Sequence, residues 1–383
     1  METIYFDNNA TTPIANSVVE ALTSALQQGL KNPASQHELG RQSRKQLEIT
    51  RERVGGLLGC NQLDSNENVV VFTSGGTEAN NLAILGICES FPQRGRVIIS
   101  GVEHPSVSMV GEILKKDGWD LQVVNTLLNG KIDLDHLDSL INDETRLVSV
   151  MLANNETGVI QPITAVVALC KNRGVLVHTD AVQAVGKMPV DFQQLGVDAL
   201  SLSAHKIHGP VGVGALLIKK GCPVAPVLHG GFQQNGIRPG SEACPLPIAF
   251  SKALELYLDH QDANISHLLG LREKLESGIL GLFPAATVIG HETPRLPQTT
   301  CIAFPKVDRQ ALMMALDVAG ICCSTGSACA SGSSEPSPVL IAMGLPEGVI
   351  DGAVRFSLSI YNTPVEVDAV IEILSEILPL LSE

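Results

Sequence analysis

Between about residue 65 and residue 220, short aliphatic runs rich in β-branched residues alternate with stretches whose apolar positions recur at helical spacing. The runs are NVVVFTS, RVIIS, DLQVVN, RLVSVMLAN, VLVHTD, ALSLSA and ALLIKK. Strands alternating with helices predict an α/β unit around a mainly parallel, seven-stranded sheet. Several runs end on polar or Gly-rich turns, where open α/β sheets hold their ligands.

After His229-Gly230-Gly231 the pattern changes to one long helical stretch, from about Pro247 to Leu282, which reads as a bridge between two domains. The remainder reads β-α-β-α-β-α: TTCIAFP, DRQALMMALDVAG, a Cys-rich segment, SPVLIAMG, VRFSLSI and VEVDAVIEILSEILPLL. This predicts a smaller C-terminal α/β domain. The expected division is a large domain over 15–255 and a small one formed by 1–14 and 256–383. No repeat or low-complexity tract interrupts the pattern.

Composition removes some classes of function. The chain of 383 residues is 44% hydrophobic and 17% charged, the balance of a folded protein with a large core. A formal net charge of −14, without any basic run, sets nucleic acid aside as a direct partner. No apolar stretch reaches the roughly 18 to 20 residues of a membrane helix, and METIYFDNNATTP has no signal-peptide core. A cytoplasmic protein is expected. The nine cysteines are scattered, with no C-x-x-C pair, which fits a reducing compartment and no structural zinc.

Six segments carry candidate chemistry. In VVVFTSGGTEANNLAIL, Gly75, Gly76 and Thr77 would open a helix, whose N-terminal N–H groups suit a phosphate, although such a turn serves equally as plain structure. In VLVHTDAVQAVGK, Asp180 lies beside a buried strand and Gln183 at the start of an expected helix. Asp180 is either a helix cap or a carboxylate able to keep a pyridine nitrogen protonated. In ALSLSAHKIHGP, Lys206 stands at a strand end behind Ser203 and His205, where a desolvated lysine can form an imine with an aldehyde. His104 in VIISGVEHPSV and Asn155 in MLANNETG also follow strands; a structural role serves either as well as ring stacking or an amide contact. Finally, Cys329 sits among Ser, Gly and Ala before Pro336 and Pro338, a setting in which a thiol is exposed and movable.

Taken together, YFDNNATTP, NPASQH, SGGTEAN, EHPSV, HTDAVQAVGK, SAHKIHGP and RFSLSIYNT resemble, in order and over nearly the whole chain, the cysteine desulfurases of the NifS/IscS type. These are class V aminotransferase-like, fold-type I enzymes that use pyridoxal phosphate. The resemblance implies that Lys206 holds the cofactor as a Schiff base, His104 stacks on its ring, Asp180 pairs with its nitrogen, and Asn155 and Gln183 hold the hydroxyl side. It assigns the phosphate to Gly76, Thr77, Ser203 and His205, with Ser241 supplied by the partner of a homodimer. Arg355 matches the arginine for the substrate carboxylate, to which Asn155 also contributes.

Cys329 falls on the cysteine that takes the sulfur. The implied reaction converts L-cysteine to L-alanine, with a Cys329 persulfide passed to a sulfur-acceptor protein such as an iron–sulfur scaffold. No metal site is implied beyond Cys329 as a ligand to a cluster during transfer. The C-A-S-G-S-S-E-P-S segment looks like the long loop of this group. Ser241 replaces Thr, Pro239 replaces Ser or Ala, Ser359 replaces Gly, and the chain stops after its last helix, where many relatives continue into a scaffold-docking tail. Competing readings are a selenocysteine lyase or a cysteine/cystine C–S lyase, and a non-catalytic sulfur carrier or scaffold. The last would be expected to lack one of Lys206, Asp180, His104 or Cys329.

Overall fold

A computed structural model describes residues 3–60, 68–326 and 335–381. The chain enters through β1 (Ile4–Tyr5) and the helices α1 (Asn16–Gln27) and α2 (Glu38–Leu57). Strand and helix then alternate: β2 (Val69–Thr73), α3 (Gly76–Glu89), β3 (Arg96–Ser100), α4 (Pro105–Lys116), β4 (Asp120–Val124), α5 (Leu134–Leu140) and β5 (Thr145–Ser149). They continue through α6 (Ile163–Lys171), β6 (Leu176–Asp180), α7 (Phe192–Leu195), β7 (Ala199–Ser203) and β8 (Gly214–Ile218).

Strands β2 to β8 form one seven-stranded sheet in the order β2-β8-β7-β6-β5-β3-β4. Only β8 runs against its neighbours. Alternate residues of one strand serve different cores: Val70, Ile98, Val148 and Leu200 face one side, while Val71, Val97, Leu147 and Ala199 face the other. A sheet buried on both faces needs apolar residues at nearly every position, which is why its strands read as unbroken runs. The α/β class expected from the sequence is the one observed.

The expected single helix from Pro247 to Leu282 is two helices, α8 (Pro245–Leu258) and α9 (Gln261–Leu282). They separate at Asp259-His260 because they serve different cores: Phe250, Leu254 and Tyr257 of α8 join the first, Leu268, Leu275 and Ile279 of α9 another. The chain continues through β9 (Thr287–Val288), β10 (Thr299–Ala303), α10 (Arg309–Val318), β11 (Ile321–Cys322), α11 (Pro338–Ala342), α12 (Glu347–Asp351), β12 (Ala353–Ser357) and α13 (Pro364–Leu381).

A three-stranded antiparallel sheet, β12-β10-β9, and the parallel pair β1-β11 pack with α9, α10 and α13 around Phe6, Phe304, Phe356 and Leu374. Bridges from Asp7 to Ser357 and from Ser324 to Arg355 join the pair to β12. From Asp7 the N-terminal segment crosses to the large sheet, where Thr12 N–H donates to the His205 carbonyl and Ala15 N–H to that of His208. That crossing brings the two sheets together at one place.

Candidate active site

Five strand ends of the large sheet, those of β2, β3, β5, β6 and β7, open onto a cavity of about 350 Å³ lined by Gly76, Thr77, His104, Asn155, Asp180, Gln183, Ser203, His205, Lys206 and Arg355. These expected residues, from segments spread over the sequence, therefore meet in one space. Ser241 is exposed and lies outside the lining. Cys329 lies outside the described residues.

Lys206 ends a short 3-10 turn directly after β7. Its Nζ donates to the carbonyls of Asn9 at 2.5 Å and Ala10 at 2.7 Å. His205 is held at 3.2 Å from Thr11 Oγ1, and burial, with the charges of Lys206 and Lys187, pushes its imidazole down to about 4. It is a neutral hydrogen-bonding ring at any ordinary pH.

Asp180 closes β6, its Oδ2 accepting from Asn80 Nδ2 at 2.6 Å and its Oδ1 from the Val182 N–H at 2.9 Å. Gln183 follows in a turn and not in the expected helix: Gly186 at φ 80 and a bridge between Val185 and Met188 end any helical path. His104 caps α4, its Nδ1 accepting from the Ser106 N–H at 3.1 Å and lying 2.7 Å from Ser106 Oγ, with Pro105 opening the helix. These bonds fix the ring at the cavity wall.

Where α3 begins, Gly75 is its cap and Gly76 its first residue. A Cβ on Gly76 would stand 2.7 Å from Val182 Cγ2, so only glycine lets this helix end approach the turn after β6. Beside it Ser203 Oγ is buried without a partner. On the far side Arg355 of β12 reaches in, 1% exposed, with Nη2 at 2.6 Å from Asp7 Oδ1 and Nη1 at 3.1 Å from the Asn155 carbonyl; its Nε is buried and unpartnered.

The profile of the aminotransferase class-V family matches residues 4–370. The chain belongs to that family. A cysteine desulfurase of Nostoc sp. is 42% identical over 98% of this chain and 93% of its own. A solved NifS-like protein superposes with a TM-score of 0.90 at 36% identity, over 99% of this chain and 100% of that one. A second solved structure, described as SspA in complex with cysteine, gives 0.81 at 28% identity over 94% of this chain and 100% of that one. The aminotransferase class-V family is dependent on pyridoxal phosphate, and its cysteine desulfurases are the relatives seen here.

Several cavity residues of this family member escape a reading by sequence alone: Asn9, Ala10, Asn80, Glu103 and Glu156 also line the space. Asn80 lies one helical turn beyond Gly76, a spacing that could have marked it. Glu103 stands beside His104 in the chain, yet its burial is set by tertiary packing. Glu156 accepts from Ser337 Oγ at 2.5 Å, and burial, opposed by that bond and by Arg355, raises its carboxyl above the usual range. Asn9 and Ala10 act through backbone carbonyls, which no side-chain pattern reveals.

Proposed function

We propose that the protein is a pyridoxal-phosphate-dependent cysteine desulfurase that converts L-cysteine to L-alanine and places the sulfur on Cys329. The observation that carries this reading is the convergence of Lys206, Asp180, His104 and Arg355 on one cavity.

The residues fit the cofactor. The unpartnered buried hydroxyl of Ser203, the opening of α3 and the close approach at Gly76 make a cradle for a phosphate. Asp180 offers a carboxylate for a ring nitrogen, His104 a flat face, Asn155 and Gln183 polar groups for the ring hydroxyl, and Lys206 the amine that holds the aldehyde. When bound, pyridoxal phosphate supplies an electron sink for the substrate's α-carbon. Lys206, the amine that would hold the cofactor, would also be the base that takes the substrate's α-proton and returns it. Arg355 orients the carboxylate with its planar fork. The Cys329 thiolate attacks the substrate sulfur; the C–S bond breaks with its electrons left on the carbon side, which is protonated and leaves as alanine, and an S–S bond forms on Cys329.

We further propose that residues 15–255 form the cofactor-binding domain and that 1–14 with 256–383 form the second. Ser241 acts across a homodimer, and a cytoplasmic protein passes sulfur on to an acceptor. Among the described residues no helix is long and apolar enough to cross a membrane.

The deciding experiment incubates the purified protein with L-cysteine and a thiol reductant and assays L-alanine and sulfide together. Equal amounts are expected, and Cys329→Ala is expected to keep the bound cofactor's visible absorbance while losing both products. Sulfide accompanied by pyruvate and ammonia would replace desulfuration by β-elimination. Parent rates of alanine and sulfide from Cys329→Ala would remove the persulfide from the mechanism.

A further inference from the structure

Lys187 is the most deeply buried lysine near the cavity, 2% exposed, in the turn that follows Asp180. Its Nζ donates to Gln183 Oε1 at 3.3 Å. Burial, Lys206 and Arg355 all push its ammonium toward losing its proton, and among the described residues no carboxylate opposes them. A lysine kept only for stability would not be placed so, because a buried charge without a counter-ion destabilises the fold and an apolar side chain of the same length would serve better.

What Lys187 does reach is the amide of a cavity residue. Gln183 accepts from Lys187 with Oε1 and donates through Nε2 to the Asn9 carbonyl at 3.0 Å. That same carbonyl accepts from Lys206 Nζ. A lysine can only donate when charged, and a carbonyl can only accept, so the amide has one orientation that satisfies both ends. A neutral lysine amine still carries N–H groups, so the contact survives titration of Lys187. Without it, Gln183 is held at one end and its buried oxygen has lost its donor.

We propose that Lys187 is a positioning residue for the cofactor, locking the Gln183 amide with its N–H edge toward the Asn9 carbonyl and the cavity. The inference rests on the reading of Gln183 as a partner of the cofactor's ring hydroxyl. Lys187 touches neither cofactor nor substrate and acts only through Gln183.

The test is a double-mutant cycle on Lys187→Met and Gln183→Ala, with two readouts. Pyridoxal phosphate is titrated into cofactor-free protein by absorbance, and the melting temperature of the cofactor-free protein is measured alongside. Lys187→Met is expected to weaken cofactor binding by about fivefold to tenfold, the scale of one hydrogen bond, while the melting temperature holds or rises. Gln183→Ala is expected to weaken binding at least as much, and the double variant no more than Gln183→Ala alone. Parent affinity in Lys187→Met beside weakened binding in Gln183→Ala would overturn the role of Lys187 and leave that of Gln183 standing. Parent affinity in Gln183→Ala would instead remove the reading of Gln183 itself. A melting temperature that falls together with affinity in Lys187→Met, or additive losses in the double variant, would also overturn the proposal.

Discussion

Glu103 stands one residue before the ring at the cavity wall, buried, with Oε1 accepting from Ser100 Oγ at 2.5 Å and from the Met151 N–H at 2.8 Å. Its Oε2 is buried with no partner. Burial is the largest influence on this carboxyl, the two donors pull against it, the charge of Asp180 adds to it, and the result is pushed from 4.5 up to about 8. A folded-state value above the unfolded one means that the folded protein holds an extra proton between those two pH values. The stabilisation is complete below about 4.5 and is lost as pH rises through about 8. Glu103→Gln keeps the shape and removes the titration. It is expected to flatten the decline in melting temperature of the cofactor-free protein from about pH 5 to pH 8. Parallel declines in parent and variant would show that this carboxyl is already ionised in the folded protein.

At the scale of elements, three of the turns at the cavity pack against one another: the one that opens α3, the one after β6 and the one after β7. Glycine permits the meeting at more than one point. Gly214 begins β8, and a Cβ there would lie 2.6 Å from the Leu202 carbonyl oxygen and 2.8 Å from Gly75 Cα. Both neighbours are backbone, so Gly214→Ala forces β8, β7 or the α3 turn to move. It is expected to cost about 1 to 3 kcal/mol of stability and to weaken cofactor binding. Gly56 offers the opposite case, being exposed on α2 with nothing within 4 Å of an added Cβ. Gly56→Ala is expected to raise stability by about 0.5 to 1 kcal/mol through helix propensity and to leave binding unchanged. Melting curves and cofactor titrations of both variants check the contrast; equal behaviour would mean that the β8 contact does not set the turn.

The same elements show why some of this was legible. The seven strands of the large sheet could be read because burial on both faces leaves a dense apolar signal, and their polar ends mark the turns. The break between α8 and α9 could not, because Asp259-His260 contains neither Gly nor Pro and two cores decide it. Gln183 looked helical because AVQAV has apolar spacing, but the path turns at Gly186, φ 80, and a local bridge from Val185 to Met188 takes the place of a helix. Lys206 and Asp180 stand out as polar groups at apolar strand ends. Lys187 and Glu103 do not, since their chemistry comes from burial that only the folded chain creates.

On the scale of the whole molecule, the cavity lies where the large sheet meets the smaller one, and Asn9 ties the meeting together. Its backbone N–H donates to Ser357 Oγ at 2.9 Å, and its Nδ2 donates to Thr299 Oγ1 at 2.8 Å and to the Asn155 carbonyl at 3.0 Å. Its own carbonyl receives Gln183 and Lys206. Strands β12 and β10 on one side and the turns after β5, β6 and β7 on the other are thus joined through one residue. Asn9→Ala keeps the backbone bonds but removes the side-chain ties that fix where the carbonyl points. With buried partners left short of a donor, the variant is expected to lose about 1 to 3 kcal/mol of stability and to release pyridoxal phosphate faster. Asn9→Asp is expected to be worse at neutral pH, because a buried carboxylate cannot donate to the Asn155 carbonyl and repels it. Lowering the pH restores a hydrogen to that side chain, so the Asn9→Asp defect should shrink in acid while that of Asn9→Ala does not. Melting temperatures and cofactor off-rates of the two variants at two pH values decide the matter. If both variants track the parent, Lys206 is held by the large sheet alone, and the smaller sheet contributes Arg355 but no support for the lysine.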